Sequence, residues 1–257
     1  MKGLIGFTIA AIFASCTELK DTPYFRDIPD STKQKVFSNT PYQDPVIRPD
    51  DILSITVVTI DPTTAAPVNQ AANVPVSTSI GGAPVVVPGL LVDKDGNISL
   101  PIIGTVKVAG LTTFEAKAVI KKKAVLYYKD PDVQLRFANF SITVLGEVLH
   151  PASFTMPNEK VSVLDALGMA GDLTIYGRRD NVLVIRENDG KKEVTRLNLN
   201  SADIFKSPYF YLKQNDVVYV EPNKQKIIAA DAARTRTLTV AASVAAVLIV
   251  LLTRIKL

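Results

Sequence analysis

The chain holds one cysteine, Cys16, and one histidine, His150, in 257 residues. That inventory excludes a disulfide framework, a cysteine-based zinc site and clusters of histidine ligands, and it leaves Ser-His-Asp chemistry a single candidate base. His150 stands before Pro151 and reads as a turn or surface residue. Asp93, Asp95 and Asp189, beside Gly96 and Gly190, have the look of calcium loops, but no Glu follows at the spacing a bidentate ligand needs, so they read as hairpin turns. No spacing demands two carboxyls facing each other across a cleft. The reading is a chain with no catalytic residue, no metal and no cofactor.

Cys16 has a different chemistry. Lys2 is followed by an apolar run from Leu4 to Ala14 that is too short to span a bilayer. Phe13-Ala14-Ser15-Cys16 resembles the lipobox, whose thiol takes up a diacylglycerol and becomes the new N-terminus on cleavage. The competing reading is a buried cysteine in an uncleaved helix. A second apolar run, Leu238 to Leu252, lies between Arg234 and Arg236 on one side and Arg254 and Lys256 on the other. Its fifteen residues give ~22 Å as a helix, marginal for one span, while Ala241, Ala242, Ala245 and Ala246 form a small-residue face on which helices could pack in lipid. The competing reading there is a buried helix of a soluble core.

The elements between these ends follow from composition and periodicity. Apolar residues make 47% and charged residues 21% of the chain, Pro numbers 16, Gly 13 and Trp none. That suits turn-rich, short-stranded structure in one large or two small domains. The net charge of +4 is spread along the chain with no long basic block, so nucleic acid is not an expected partner. Residues 52–60 read as a strand and 61–88, rich in Ala, Pro, Val and Thr, as a long mobile loop. Leu90–Asp93 and Ile98–Pro101 read as a hairpin across Asp95-Gly96, with 102–108 continuing as strand. Thr112-Thr113-Phe114-Glu115 is a capping-box pattern opening a helix to about Tyr127, followed by a strand near Val133–Phe137. A second unit has strands at 140–148, 181–186, 193–197 and 216–220 and a short helix 163–170 behind Ser162, the order of a β-grasp: a mixed sheet holding one helix.

The stretch Leu91 to Gly104, with Asp93, Gly96, Leu100, Pro101 and Gly104, and then Val108 to Ala116, with Gly110, Leu111, Thr112 and Glu115, closely resembles the signature of the outer-membrane polysaccharide export proteins. Gln214 to Val220, around Asp216, is similar to that family's soluble-ligand-binding β-grasp module. Pro49-Asp50-Asp51, Pro151-Ala152 and Ala170-Gly171-Asp172 depart from the family's usual Pro-Gly-Asp, Pro-Gly and Ala-Gly-Gly turns. The resemblance covers roughly Pro45 to Pro222, and together with the two ends it gives an α+β fold: residues 1–15 a signal peptide, 16–44 a lipidated tether, 45–138 the export domain, 139–223 one β-grasp domain and 237–253 a membrane helix. It further implies a ring-shaped homo-oligomer in the outer membrane, its soluble part in the periplasm, whose C-terminal helices surround a passage for polysaccharide cargo, with an inner-membrane co-polymerase as partner; the position and composition of the 61–88 loop make it a candidate for that contact. Lys121, Lys122 and Lys123 are then either a solvated helix face or a lining for acidic glycan. Tyr127, Tyr128, Tyr176, Tyr209 and Tyr211 are either packing or sugar contacts. The alternative is a periplasmic glycan-binding lipoprotein with two membrane anchors and no pore.

Overall fold

In the computed structural model the described residues are 23–72, 75–80, 83–188, 190–226, 228–229, 240 and 243–245. The first domain grows from β1 (Ile52–Val58), a β-branched run whose Leu53, Ile55 and Val57 are fully buried. The next segment corrects the expected loop over 61–88: it forms α1 (Pro62–Ala71) and a hairpin of β2 (Pro75–Ile80) and β3 (Ala83–Pro88). The cause is local. The Asp61 carboxylate accepts the Thr63 N–H at 3.0 Å, and Pro62 fills the first turn, where no amide donor is needed. Asn69 then clasps β1 by accepting the Val57 N–H at 2.8 Å and donating to the Val57 carbonyl at 2.9 Å.

The hairpin expected across Asp95-Gly96 is also corrected. The turn is present, but β4 (Leu90–Leu91) pairs with β1, and β5 (Asn97–Leu100) pairs with β6 (Gly104–Lys107). Residues 102–108 are therefore not one strand: Ile102 (φ +69°) and Gly104 (φ +84°) reverse the chain after Pro101. α2 (Thr113–Ala124) ends three residues before the expected Tyr127, and β7 (Asp132–Phe137) lies antiparallel to β1, giving a sheet ordered β4-β1-β7.

The second domain has the expected mixed sheet. β8 (Ser141–Gly146), β9 (Ala152–Thr155), β11 (Gly177–Asn188), β12 (Lys191–Leu197) and β14 (Val217–Pro222) are ordered β12-β11-β14-β8-β9, with β14 parallel to β8 and the other pairs antiparallel. β10 (Val161–Ser162) and β13 (Tyr211–Leu212) form a small pair beside α3 (Val163–Met169), which buries Val163, Ala166 and Leu167. One apolar core runs through both domains, the Phe137 and Phe140 rings meeting at 6.1 Å across the connection.

Residues 23–44 differ from the expected tether. They lie along the second domain: Phe25 and Arg26 donate to the Leu199 and Asn200 carbonyls, Thr40 donates to Phe205, and the Phe25 and Phe37 rings pack on Phe205 at 5.3 and 5.6 Å. Aromatic burial supplies the reason, since the two phenylalanine rings of a polar stretch gain by leaving water against Phe205. Cys16 and residues 1–15 lie outside the described residues. So does most of the expected membrane helix 237–253, including Ala241, Ala242 and Ala246; Ala245 is described and helical. Among the described residues no helix is long and apolar enough to cross a membrane.

Candidate functional site

The residues of the long motif act on the backbone. The Asp93 carboxylate accepts the Asn97 N–H at 2.7 Å, and Gly96 sits at φ +77° with Ala109 so close that a Cβ would fall 2.3 Å from it. Only glycine fits such a corner. Leu100 is buried beneath the β5–β6 hairpin, which Pro101 and Gly104 turn. Gly110 donates to the Ile47 carbonyl at 2.8 Å while Ile47 donates to that of Leu111 at 2.8 Å, so the entering chain is fastened to the motif just before α2. Thr112 Oγ1 accepts the Glu115 N–H at 3.2 Å and the Thr112 N–H donates to Glu115 Oε2 at 2.8 Å, a complete capping box. The Thr112 backbone and hydroxyl hold the Glu115 carboxyl below the usual glutamate range.

This scaffold displays apolar side chains to solvent. Ile102, Phe114, Val125, Leu126 and Tyr127 are exposed, Phe114 at 79% and Leu126 at 78%. Ile102 is also a β-branched residue held at positive φ, a strained tip. Lys121 and Lys122 are exposed on α2, Lys123 donates to the Thr105 carbonyl at 2.7 Å and Lys117 pairs with Asp132 at 3.6 Å.

Asp216 lies elsewhere, buried at the start of β14. It accepts Arg186 Nη2 at 2.7 Å and Nε at 3.0 Å, and the Lys213 N–H at 2.7 Å. The same guanidinium donates to the Tyr211 carbonyl and rests 4.7 Å from the Tyr209 ring centre. No motif in the sequence marks Arg186, although its position in β11 shares the inward face of Val182 and Val184, where a charge requires a partner.

The seam between domains is polar. Gln214 donates to Asp51 Oδ1 at 2.9 Å, Thr113 donates to Glu159 Oε2 at 3.1 Å, and Asn139 Oδ1 accepts the Ile52 N–H at 3.0 Å. Burial raises the carboxyls of Asp51 and Glu159 above their ordinary values. Tyr42 packs edge-on to Tyr211 with Lys160 over both rings, and its hydroxyl is pushed up to about 12, burial being the main cause. A cavity of about 700 Å³ beside it is lined by Tyr42, Arg136, Glu159 and Lys160, and one of about 190 Å³ lies between Arg48, Asp51, Lys213 and Gln214.

The tyrosines divide. Tyr128 is buried; Tyr209, donating to Glu193 at 2.7 Å, Tyr211 and Tyr176 are half-buried; Tyr127 is exposed. His150 is exposed at its turn, and among the described residues no three His, Cys, Asp or Glu side chains are placed to share a metal. Two of the three departing turns keep left-handed geometry without the usual glycine, Asp50 at φ +71° and Asp172 at φ +70° directly after Gly171 at +78°, whereas Ala152 opens the extended β9. Asp tolerates that region better than most side chains. Asp172 adds something glycine lacks, a carboxylate that takes the Tyr24 hydroxyl and so fastens the 23–44 segment.

Comparison with known proteins gives the same division. Residues 39–138 match the polysaccharide biosynthesis/export protein family and residues 141–220 match the SLBB domain. The chain is 29% identical over 192 residues to the EPS I polysaccharide export outer membrane protein EpsA of Ralstonia solanacearum, covering 72% of this chain and 49% of that protein. To the protein of the same name from Ralstonia nicotianae it is 30% identical over 190 residues, covering 71% and 48%. The chain thus spans about half the length of the curated relatives it matches.

Proposed function

We propose, from the premise that this chain belongs to the outer-membrane polysaccharide export family, that it is an outer-membrane component through which a bacterial polysaccharide passes from periplasm to surface. The observation that carries this is the tandem of an export domain and an SLBB domain, with the motif from Asp93 to Glu115 folded into the turn, hairpin and helix cap described above. The mechanism is passive. In this reading the driving force belongs to synthesis on the inner side.

The finer assembly rests on physical fit. Exposed Phe114 on α2, Leu126 just beyond it and Ile102 at the β5–β6 turn favour contact with a second copy, because apolar surface gains by leaving water. A ring of copies would place the lysines of α2 where an acidic glycan passes. Acylation at Cys16 would hold each copy at the inner leaflet, and the run Leu238–Leu252 would cross the outer membrane as packed helices on the face of Ala241, Ala242, Ala245 and Ala246. α1 and the β2–β3 hairpin replace the loop as the segment meeting an inner-membrane co-polymerase; full export after removal of 75–88 would sink that assignment.

Surface polysaccharide tests the function. Deleting the gene should abolish the surface polymer and supplying the full chain should restore it; unchanged surface polymer without the gene refutes the reading. A doubly anchored glycan-binding lipoprotein remains the second reading, favoured by the polar seam cavity lined by Tyr42 and Lys160.

A further inference from the structure

Three exposed apolar side chains stand together at one end of the second domain. Leu149 is 62% exposed, Ile175 60% and Met169 44%. Leu149 and Ile175 sit on two loops tied to each other, and Met169 ends α3 where the second loop begins: Leu149 and His150 donate to the Asp172 and Ala170 carbonyls at 3.0 and 2.8 Å, and Thr174 donates to Glu147 at 2.9 Å. Val148 and Leu173 are bridged beneath them and buried. The loops are therefore firm, and their apolar groups protrude because no described part of the chain covers them.

Both segments that lead toward the apolar runs of the sequence leave from this end. On the N-terminal side Tyr24 is fastened to Asp172, with Arg179 5.5 Å from its ring centre. Cys16 is eight residues upstream, a reach of at most ~29 Å even if fully extended. On the C-terminal side Asn223 donates to the Tyr176 and Ile175 carbonyls at 2.7 and 3.3 Å, and Lys226 pairs with Glu147. Leu238 is twelve residues further on. Exposed Lys224 lies at the same end, while Lys226 is paired with Glu147 and the half-exposed Arg178 with Asp180 and Glu221, so a polar rim of mixed charge surrounds the apolar groups.

We infer that the face formed by Leu149, Met169 and Ile175 docks on a phospholipid bilayer, its side chains entering the boundary between headgroups and acyl chains. This rests on the outer-membrane placement proposed above and adds to it: the β-grasp domain is seated on the membrane by its own loops as well as by its anchors. The orientation of the sheet relative to the bilayer is set by that contact.

The absence of tryptophan from the chain supplies the test. Leu149→Trp, Ile175→Trp and, as control, Val194→Trp on the exposed face of β12 are made in the full-length chain and reconstituted in vesicles. The vesicles are of phosphatidylethanolamine and phosphatidylglycerol, with acyl chains either plain or brominated near the headgroup. Insertion to the depth of an interfacial segment should cost the first two variants about half their emission or more in brominated vesicles and leave the control unchanged. Unquenched emission at both positions in chains that float with the vesicles overturns the inference, as does failure to float. A blue-shifted but unquenched signal overturns it too, because another copy then covers the face. Matching thermal unfolding of the three variants and the parent establishes that each is folded. The vesicles contain no polysaccharide, so quenching and surface-polymer loss can fail independently.

Discussion

Removing the Asp216 carboxylate should cost the protein a large part of its stability. Asp216→Ala leaves the Arg186 guanidinium, 8% exposed, without the carboxylate it contacts at 2.7 to 3.2 Å, and leaves the Lys213 N–H without its 2.7 Å acceptor. Charge-assisted bonds contribute roughly 1.5–3 kcal/mol each, and stranding one member of a buried pair costs about 3–5 kcal/mol. That is about a fifth or more of a typical domain's stability of about 5–15 kcal/mol. The double variant Arg186→Met/Asp216→Leu removes both charges together, and its cost should fall well below that of the single variant, leaving mainly the Lys213 N–H and the Tyr211 carbonyl without their partners. Urea unfolding of the full-length chain in detergent, followed by circular dichroism, gives the three free energies, provided the slope with urea stays constant. A single-variant cost under about 1 kcal/mol, or a double variant as damaged as the single, refutes the view that Asp216 is there to neutralise Arg186 inside the second domain.

Gly146→Ala should be costlier than an ordinary strand substitution, about 3 kcal/mol or more, because the residue holds φ +91° and a Cβ would fall 2.0 Å from the Val220 carbonyl oxygen across the β8–β14 pair; a near-neutral melting temperature contradicts that geometry. Thr112→Ala should cost about 1 kcal/mol through the lost cap of α2. Glu115→Ala should lower stability at neutral pH, with the gap closing as pH falls: its folded carboxyl is held below the usual range, so its contribution is present above the ordinary glutamate value and lost through the depressed one. Asp51 has the opposite sign, since burial raises it; Asp51→Asn should improve relative to the parent as pH rises through that raised value, as read by melting temperature across pH. Phe205→Ala should weaken the hold on residues 23–44 by about 2 kcal/mol and open residues 26–40 to limited proteolysis, where unchanged resistance would count against that packing.

Local signals were readable in the sequence and long-range ones were not. β1, the Thr112–Glu115 cap and the turn beyond Asn188 follow from β-branched runs, a hydroxyl three residues before a carboxylate, and Asp-Gly. At 61–88 the same kind of signal was present, Asp61 before Pro62, but the Ala- and Pro-rich composition around it suggested a loop. Asp95-Gly96 fixed a bend without fixing the partner of the strand before it, and β4 joined β1. Nothing periodic announces that Phe25 will meet Phe205. Arg186 stood on the inward face of β11, yet its partner is 30 residues away, and Asp216 read as a motif position before its charge had an explanation. The departures at Asp50 and Asp172 were visible as missing glycines; the left-handed backbone they preserve was not.

Electron microscopy and native mass of the full-length chain in mild detergent, beside a chain ending at Lys226, test the conduit most directly. Closed rings around a central cavity, with the shortened chain lacking the membrane cap, are the predicted result. Monodisperse monomers from both chains would contradict it.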